Sequence, residues 1–528
     1  MHSTTTRITA TIATTIIALA GVAPAWSQPV PITPADYPPA DAVTIPAGSR
    51  ERAVQELPGV IKDIMQRSQV PGLAVAVVID GKTVLTQGYG TREAGKDAPV
   101  DANTVFQIAS ISKSLSATVA AIQITQRKAT WDDPVSRYLP GFALSNAYVS
   151  EHASIGDFFA HRTGLPPTAG DDLEDLGFSR NDIIARLRLV PLTPFRTSYH
   201  YANFSTTIGA EAVARAAGRP WEQLADEQLF KPLGMASTSY RYADFEAHGN
   251  RALLHAYQNG RFVQAGKRNA DAQAPAGGVS STVVDLAQWL KLLLADGQHQ
   301  GKPLAAPVAL LPALSPQAFS APAPDLNTRS GFYGYGFNVN TETGGRPAMG
   351  HSGAFLVGTG TTFRIVPSAG IGIVVLTNGA PVGAAEAVAA TFTDIALYGK
   401  SSRDWYAAYN GAMKKLFEPQ ADLTGKPDPA KPAAPKALSQ YTGTFDNPYY
   451  GPARIEEAYG ALTLVLGPKD MRFPVRHWDG DTFAFAPAGE AEMLASRASI
   501  VFKMDQGRAQ GFDIKYYDDS GLGHWNRK

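Results

Sequence analysis

Phe106-Gln107-Ile108-Ala109-Ser110-Ile111-Ser112-Lys113-Ser114-Leu115-Ser116 places a Ser-x-x-Lys where an apolar run turns into a helix. Leu115, Val119 and Ile122 follow at i, i+4 and i+7, with helix-favouring Ala117, Ala120 and Ala121 between them. This spacing predicts a helix starting near Ser110. Residues i and i+3 on a helix lie about 60° apart around the axis and about 4.5 Å along it, so Ser110 and Lys113 share a face. An amine kept neutral by dry surroundings can take the serine proton and generate a nucleophile. By itself, however, Ser-x-x-Lys is expected about once by chance in a chain this long, and a serine at a helix start is commonly a cap. The rest of the sequence has to decide.

At 528 residues the chain exceeds one ordinary core, which suggests one large domain plus a smaller one. A formal net charge of zero argues against nucleic acid or an anionic membrane as the main partner. No cysteine is present, so disulfides, thiolate metal sites and a cysteine nucleophile are excluded. No His-Glu-x-x-His or comparable cluster occurs among the histidines, and neither a metal nor another cofactor is expected. Arg7, the apolar or small residues 8–23 and Ala25-Trp26-Ser27 read as a signal peptide over 1–27, cleaved after Ser27. That reading implies a periplasmic or secreted protein with no stable membrane span after cleavage.

Residues 28–48 form a Pro/Ala-rich leader, and a folded domain is expected over 49–417. Val54, Leu57, Ile61, Ile64 and Met65 predict a first helix, interrupted or bent at Pro58-Gly59. The apolar runs 73–79 and 83–89, joined through Asp80-Gly81, predict a hairpin at the edge of an antiparallel sheet. Helical patterns fill the middle, including 208–217 and 283–294, and short β-rich runs return at 335–339, 358–366 and 372–376. A sheet made from the two ends of the domain with helices inserted between them is an α+β pattern. Five prolines mark a linker over 418–436. Beyond it, over 437–528, seven short strand signals separated by turns predict a small β-barrel or sandwich.

Two further stretches bear on Ser110. Tyr201-Ala202-Asn203 lies in a polar loop before a helix, and His351-Ser352-Gly353 lies just before an apolar strand, with the glycine-rich 276–281 turn between them in sequence. In this order, and with His161-Arg162-Thr163-Gly164-Leu165 and Lys231-Pro232-Leu233-Gly234-Met235 as accessory phrases, they resemble the penicillin-recognising serine hydrolases: class C β-lactamases, D-alanyl-D-alanine carboxypeptidases, D-aminopeptidases and related esterases. The resemblance spans roughly residues 50–400. It implies a β-lactamase-like antiparallel sheet with an inserted helical region, and the carboxy-terminal part resembles the lipocalin-like barrels attached to some of these peptidases. It further implies that Ser110 attacks a carbonyl, that Lys113 and Tyr201 move the protons, and that the Tyr201 phenol is acidified by Lys113. Asn203 is expected to contact substrate and hold Lys113, and His351 and Gly353 to lie on the strand along which substrate binds. The backbone N–H groups of Ser110 and Ala354 are expected to form the oxyanion hole.

Where many β-lactamases carry Lys-Thr-Gly, this chain has His351-Ser352-Gly353, and histidine is mostly neutral at pH 7. The expected activity is therefore hydrolysis of small esters, amides or short peptides through a Ser110 acyl-enzyme. A class C-like β-lactamase and a slowly turning-over penicillin-binding receptor are the alternatives. Tyr449, Tyr450, Trp478 and Trp525 are expected in the barrel core.

Overall fold

The computed structural model describes residues 42–419, 421–490 and 495–528. The signal peptide expected over 1–27, and the leader up to residue 41, lie outside the described residues. Among the described residues no helix is long and apolar enough to cross a membrane.

The apolar run after the first helix is a sheet strand with both faces covered. In β1 (Gly72–Ile79), Leu73, Val75 and Val77 point to one side and Ala74, Ala76 and Val78 to the other, and all six are buried. The first side is covered by α1 (Ser49–Ser68), through Ala53, Leu57, Ile61 and Ile64. Pro58 does not interrupt α1. It sits on the exposed side, where a missing N–H costs least, while the buried stripe holds the helix together.

β2 (Lys82–Gly90) pairs with β1 across the Asp80-Gly81 turn and forms the sheet edge, as the sequence predicts. The remaining strands come from the far end of the domain: β3 (Ala318–Ala321), β4 (Gly331–Tyr333), β5 (Asn338–Thr341), β6 (Pro347–Phe355), β7 (Thr359–Val366) and β8 (Ile371–Thr377). The order is β2-β1-β8-β7-β6-β5-β4-β3, antiparallel throughout. β8 against β1 therefore closes residues 371–377 onto residues 73–79, the α+β plan read from the sequence. His351 is in the middle of β6, not in a loop before a strand. Between the sheet halves come α2 (Ile111–Thr125), α3 (Asn203–Ala217) and α4 (Val283–Leu294), and α5 (Ala384–Tyr398) follows the last strand.

Residues 443–527 form a closed antiparallel barrel of β9 (Gly443–Asp446), β10 (Ala453–Ala458), β11 (Ala461–Leu466), β12 (Met471–Asp479), β13 (Thr482–Phe485), β14 (Ala498–Asp505), β15 (Arg508–Ile514) and β16 (His524–Arg527). Of the eight strands, β16 has no counterpart among the seven sequence signals. It is short and mostly polar, and it becomes a strand by pairing with β9 and β15 at the closure. Tyr449, Tyr450 and Trp525 are buried as expected, whereas Trp478 is only half-buried, under the Arg497 guanidinium. The proline-rich segment before the barrel lies along its wall, where Asp422 accepts from the Ser499 hydroxyl and Asp479 from the Ala433 amide. The barrel's apolar interior runs into the core of the helical region without a break.

Candidate active site

The helix predicted near Ser110 begins at Ile111, with Ser110 at its N-cap. The Ser110 hydroxyl makes no capping hydrogen bond, so the bland reading of this serine as a helix cap does not describe it. Before it, buried Ala109 takes a left-handed backbone (φ 47°), a conformation that costs a residue with a β-carbon about 1–3 kcal/mol. This tight turn is braced on both sides. The Ser112 hydroxyl donates to the Ala109 carbonyl (2.6 Å) and accepts from the Val279 amide (3.0 Å). The glycine-rich 276–281 turn is thereby packed against the base of α2.

Lys113 is fully buried, and its Nζ lies 3.1 Å from Ser110 Oγ, 2.7 Å from Asn203 Oδ1 and 3.0 Å from the Ala276 carbonyl. Burial pulls its pKa down to about 7, against the opposing field of Asp171. The face of the Tyr201 ring stands 4.5 Å from Nζ. Tyr201 has the Ser110 side chain as hydrogen-bond partner, yet burial raises its phenol pKa far above the ordinary value. The expected acidification by Lys113 fails because the phenol is desolvated and its neighbouring amine is itself easily deprotonated.

His351, 6% exposed, accepts from the Tyr333 hydroxyl at Nε2 (2.9 Å). The Ser352 carbonyl only accepts, so the proton is on Nδ1, 2.6 Å away. Burial, and then the nearby Lys113, push this histidine down to about 3, so it is neutral at pH 7. Gly353 backs onto the Ser110 turn: a β-carbon there would meet the Ile108 carbonyl oxygen at 2.2 Å. Ser110, Asn203 and Ala354 line one cavity of about 590 Å³. The predicted residues Ser110, Lys113, Tyr201, Asn203, His351, Gly353 and Ala354 thus converge on one place from α2, the start of α3 and β6.

Three neighbours had no role in the sequence reading. Asp171 accepts from Asn203 Nδ2 at 3.0 Å, so the Asn203 amide is held at both ends, with its second N–H left for another acceptor. Buried His161, quoted only in an accessory phrase, packs 4.6 Å from the Tyr201 ring. Tyr333 is the partner of His351. One carboxylate among several in the short helix Asp171–Asp175, and single aromatics without a motif, give no local signal. The other wall of the cavity comes from the barrel, through Tyr449, Tyr450, Glu490, Tyr516 and Tyr517. Tyr450 hydrogen-bonds Asp172, and Glu490 accepts from the Leu356 amide at 3.0 Å, joining barrel to cleft rim.

A family model described as beta-lactamase matches residues 57–398. The chain belongs to the beta-lactamase family. Members of this family similar to it include the unguisins hydrolase ungD' of Aspergillus campestris, 27% identical over 75% of this chain and 76% of that protein. The D-alanyl-D-alanine-carboxypeptidase/endopeptidase AmpH of Escherichia coli K12 is 25% identical over 60% of this chain and 82% of its own length. An octameric penicillin-binding protein homologue from Pyrococcus abyssi shares the fold, with a TM-score of 0.58 and 18% identity, covering 87% of this chain and 98% of that one. Residues 427–523 match a domain of unknown function, DUF3471. Within the beta-lactamase family this chain is a serine hydrolase, on the strength of relatives named as hydrolases and peptidases.

Proposed function

We propose that this protein is an exported serine hydrolase that cleaves ester or amide bonds of small substrates, including short peptides, through a Ser110 acyl-enzyme. The observation that carries the reading is Lys113 Nζ, buried and 3.1 Å from Ser110 Oγ, with its pKa brought down to about 7. The Ser110 proton passes to Lys113 as Oγ bonds to the substrate carbonyl carbon. The amides of Ser110 and Ala354 hold the resulting oxyanion. Collapse breaks the bond to the leaving alcohol or amine, which takes a proton through the neutral Tyr201 phenol. Water, deprotonated by the same groups, then releases the acid and restores Ser110. Lys113, poised near neutrality, is the base in this scheme, and Tyr201, kept protonated by burial, is the proton conduit.

Export and the division into a hydrolase domain over 49–417, a linker over 418–436 and a barrel over 437–528 belong to the same reading. Two observations favour esters, amides and peptides over carboxylate-bearing β-lactams. His351 is neutral and offers no charge to a carboxylate, and the acidic side chains lining the cavity, Asp171, Asp172, Asp175, Asp422, Glu490 and Asp519, outnumber Arg268 and Lys515 even though burial makes Asp171, Asp172, Asp175 and Glu490 harder to ionise. The similar AmpH of Escherichia coli K12, a D-alanyl-D-alanine-carboxypeptidase/endopeptidase, points the same way.

The test is intact-mass detection of a serine-directed acylating probe, alongside turnover of a p-nitrophenyl ester, a D-amino-acid amide and a chromogenic cephalosporin. One probe equivalent bound, with ester or amide turnover exceeding cephalosporin turnover and both lost in Ser110→Ala, is the expected result. Full hydrolysis by Ser110→Ala overturns the mechanism, cephalosporin as best substrate makes the protein a β-lactamase, and stable acylation without turnover makes it a receptor.

A further inference from the structure

The three groups around Lys113 Nζ are not equivalent. A neutral amine has two N–H bonds and one lone pair. Asn203 Oδ1 and the Ala276 carbonyl can only accept, so they take both N–H bonds. The lone pair is then left facing Ser110 Oγ, the one neighbour of the three that can donate. This arrangement depends on which end of the Asn203 amide faces the lysine. Rotated by half a turn, the amide would offer N–H to Nζ, occupy the lone pair and deprive Ser110 of its base. The two orientations have nearly the same shape, so shape cannot choose between them.

What chooses is the far end of the amide, where Asp171 Oδ2 lies 3.0 Å from Asn203 Nδ2. We propose that Asp171 is a positioning residue: an acceptor that holds the Asn203 amide with its oxygen toward Lys113 and thereby aims the lysine lone pair at Ser110. This rests on the reading of Ser110 and Lys113 as nucleophile and base. Among the described residues the contact to Asn203 is the one side-chain hydrogen bond that Asp171 makes, and its Oδ1 is buried with no partner among them. The charged groups facing Asp171 are Glu174 and Asp175, which disfavour its ionisation, and Arg268 and Lys113, which favour it. Those facing Lys113 are Asp171, His161 and His351, with the two histidines neutral at pH 7. Burial holds the Asp171 carboxyl well above the ordinary range, and Oδ2 still accepts from Asn203, though more weakly, when a proton resides on Oδ1.

The experiment compares the full-length protein with Asp171→Asn, which keeps the shape but tolerates either amide orientation. kcat for the ester, and the rate of Ser110 acylation by the probe, are expected to fall about 10- to 100-fold with KM within about twofold. The acid midpoint of the kcat/KM–pH profile is expected to move to lower pH, because Lys113 loses whatever negative field Asp171 supplies and gains a competing donor. A packing role alone would leave that midpoint in place. The exchanged pair, Asp171→Asn with Asn203→Asp, again presents an acceptor to Lys113. It is expected to recover acylation at high pH, with the midpoint displaced upward by the new adjacent charge. An unchanged kcat and midpoint in Asp171→Asn overturns the proposal, as does an exchanged pair that folds by circular dichroism yet recovers nothing. Failure of the underlying reading looks different: Ser110→Ala would then retain turnover, and the probe would not label Ser110.

Discussion

Gly353 lies directly against the turn that carries Ser110: a β-carbon at 353 would stand 3.0 Å from the Ser110 amide nitrogen, 2.2 Å from the Ile108 carbonyl oxygen and 2.5 Å from Thr361 Oγ1. The first two contacts are backbone, so β6 and the turn must separate to admit even a methyl group. Because the two proposed oxyanion donors, the amides of Ser110 and Ala354, sit on opposite sides of this contact, separation spoils their common aim. Gly353→Ala is expected to lose about 100- to 1000-fold in kcat for the ester, with a destabilisation of only about 1–3 kcal/mol. Probe acylation rates and urea melts on the same preparation check both numbers.

The pH profile follows from Lys113. Activity requires the neutral amine, so kcat/KM is expected to rise with pH through a midpoint near 7. The stability effect has its own sign. In the unfolded chain the lysine keeps its proton up to about the ordinary 10.5, whereas the folded protein releases it near 7. Across that window the unfolded state binds more protons, so this group's contribution makes the protein more stable as pH rises. Lys113→Met is expected to flatten this part of the stability–pH curve while abolishing turnover. Denaturant titrations at a series of pH values between 7 and 10 give the comparison.

Tyr333 is predicted to matter as the hydroxyl that satisfies His351. With the Nδ1 proton committed to the Ser352 carbonyl, Nε2 is a buried acceptor whose donor is the Tyr333 hydroxyl. Tyr333→Phe leaves that nitrogen unpaired at an expected cost of about 1–3 kcal/mol. The melting temperature is expected to fall, and restoring the partner by reverting the substitution restores it. An unchanged melting temperature would show that His351 finds another donor.

The parts of this molecule legible in the sequence are those whose causes are local. Asp80-Gly81 between two apolar runs makes a hairpin wherever it occurs, and the stripe after Ser110 makes a helix. The ordered motifs at 110–113, 201–203 and 351–353 identify residues that the fold then gathers from three elements. What was not legible depends on surroundings created only by folding. Pro58 remains helical because Leu57, Ile61 and Ile64 are pinned to the sheet. β16 exists because a barrel must close. The Tyr201 phenol is pushed up because burial outweighs any field from a lysine whose own charge is marginal. Asp171 is one of four acidic residues in the short helix Asp171–Asp175, and nothing in that acidic run marks it out as the partner of a residue on α3.

The cavity over Ser110 is closed on one side by Tyr449, Tyr450, Tyr516 and Tyr517, so the barrel shapes what can reach the nucleophile. Deleting the barrel is a poor test, since its interior is continuous with the core of the helical region and removal would expose that core. Tyr516 is the better probe. It lines the cavity while only half-buried, and among the described residues its side chain makes no hydrogen bond and its ring packs against Tyr517 at 5.1 Å between centroids. Tyr516→Ala is therefore expected to fold normally and to widen the cavity on the barrel side. The ratio of kcat/KM for a bulky acyl ester to that for an acetyl ester should rise about tenfold, because the bulky group no longer meets the ring. Steady-state kinetics on the two p-nitrophenyl esters measure the ratio, and an unchanged ratio would mean that the acyl group lies away from the barrel.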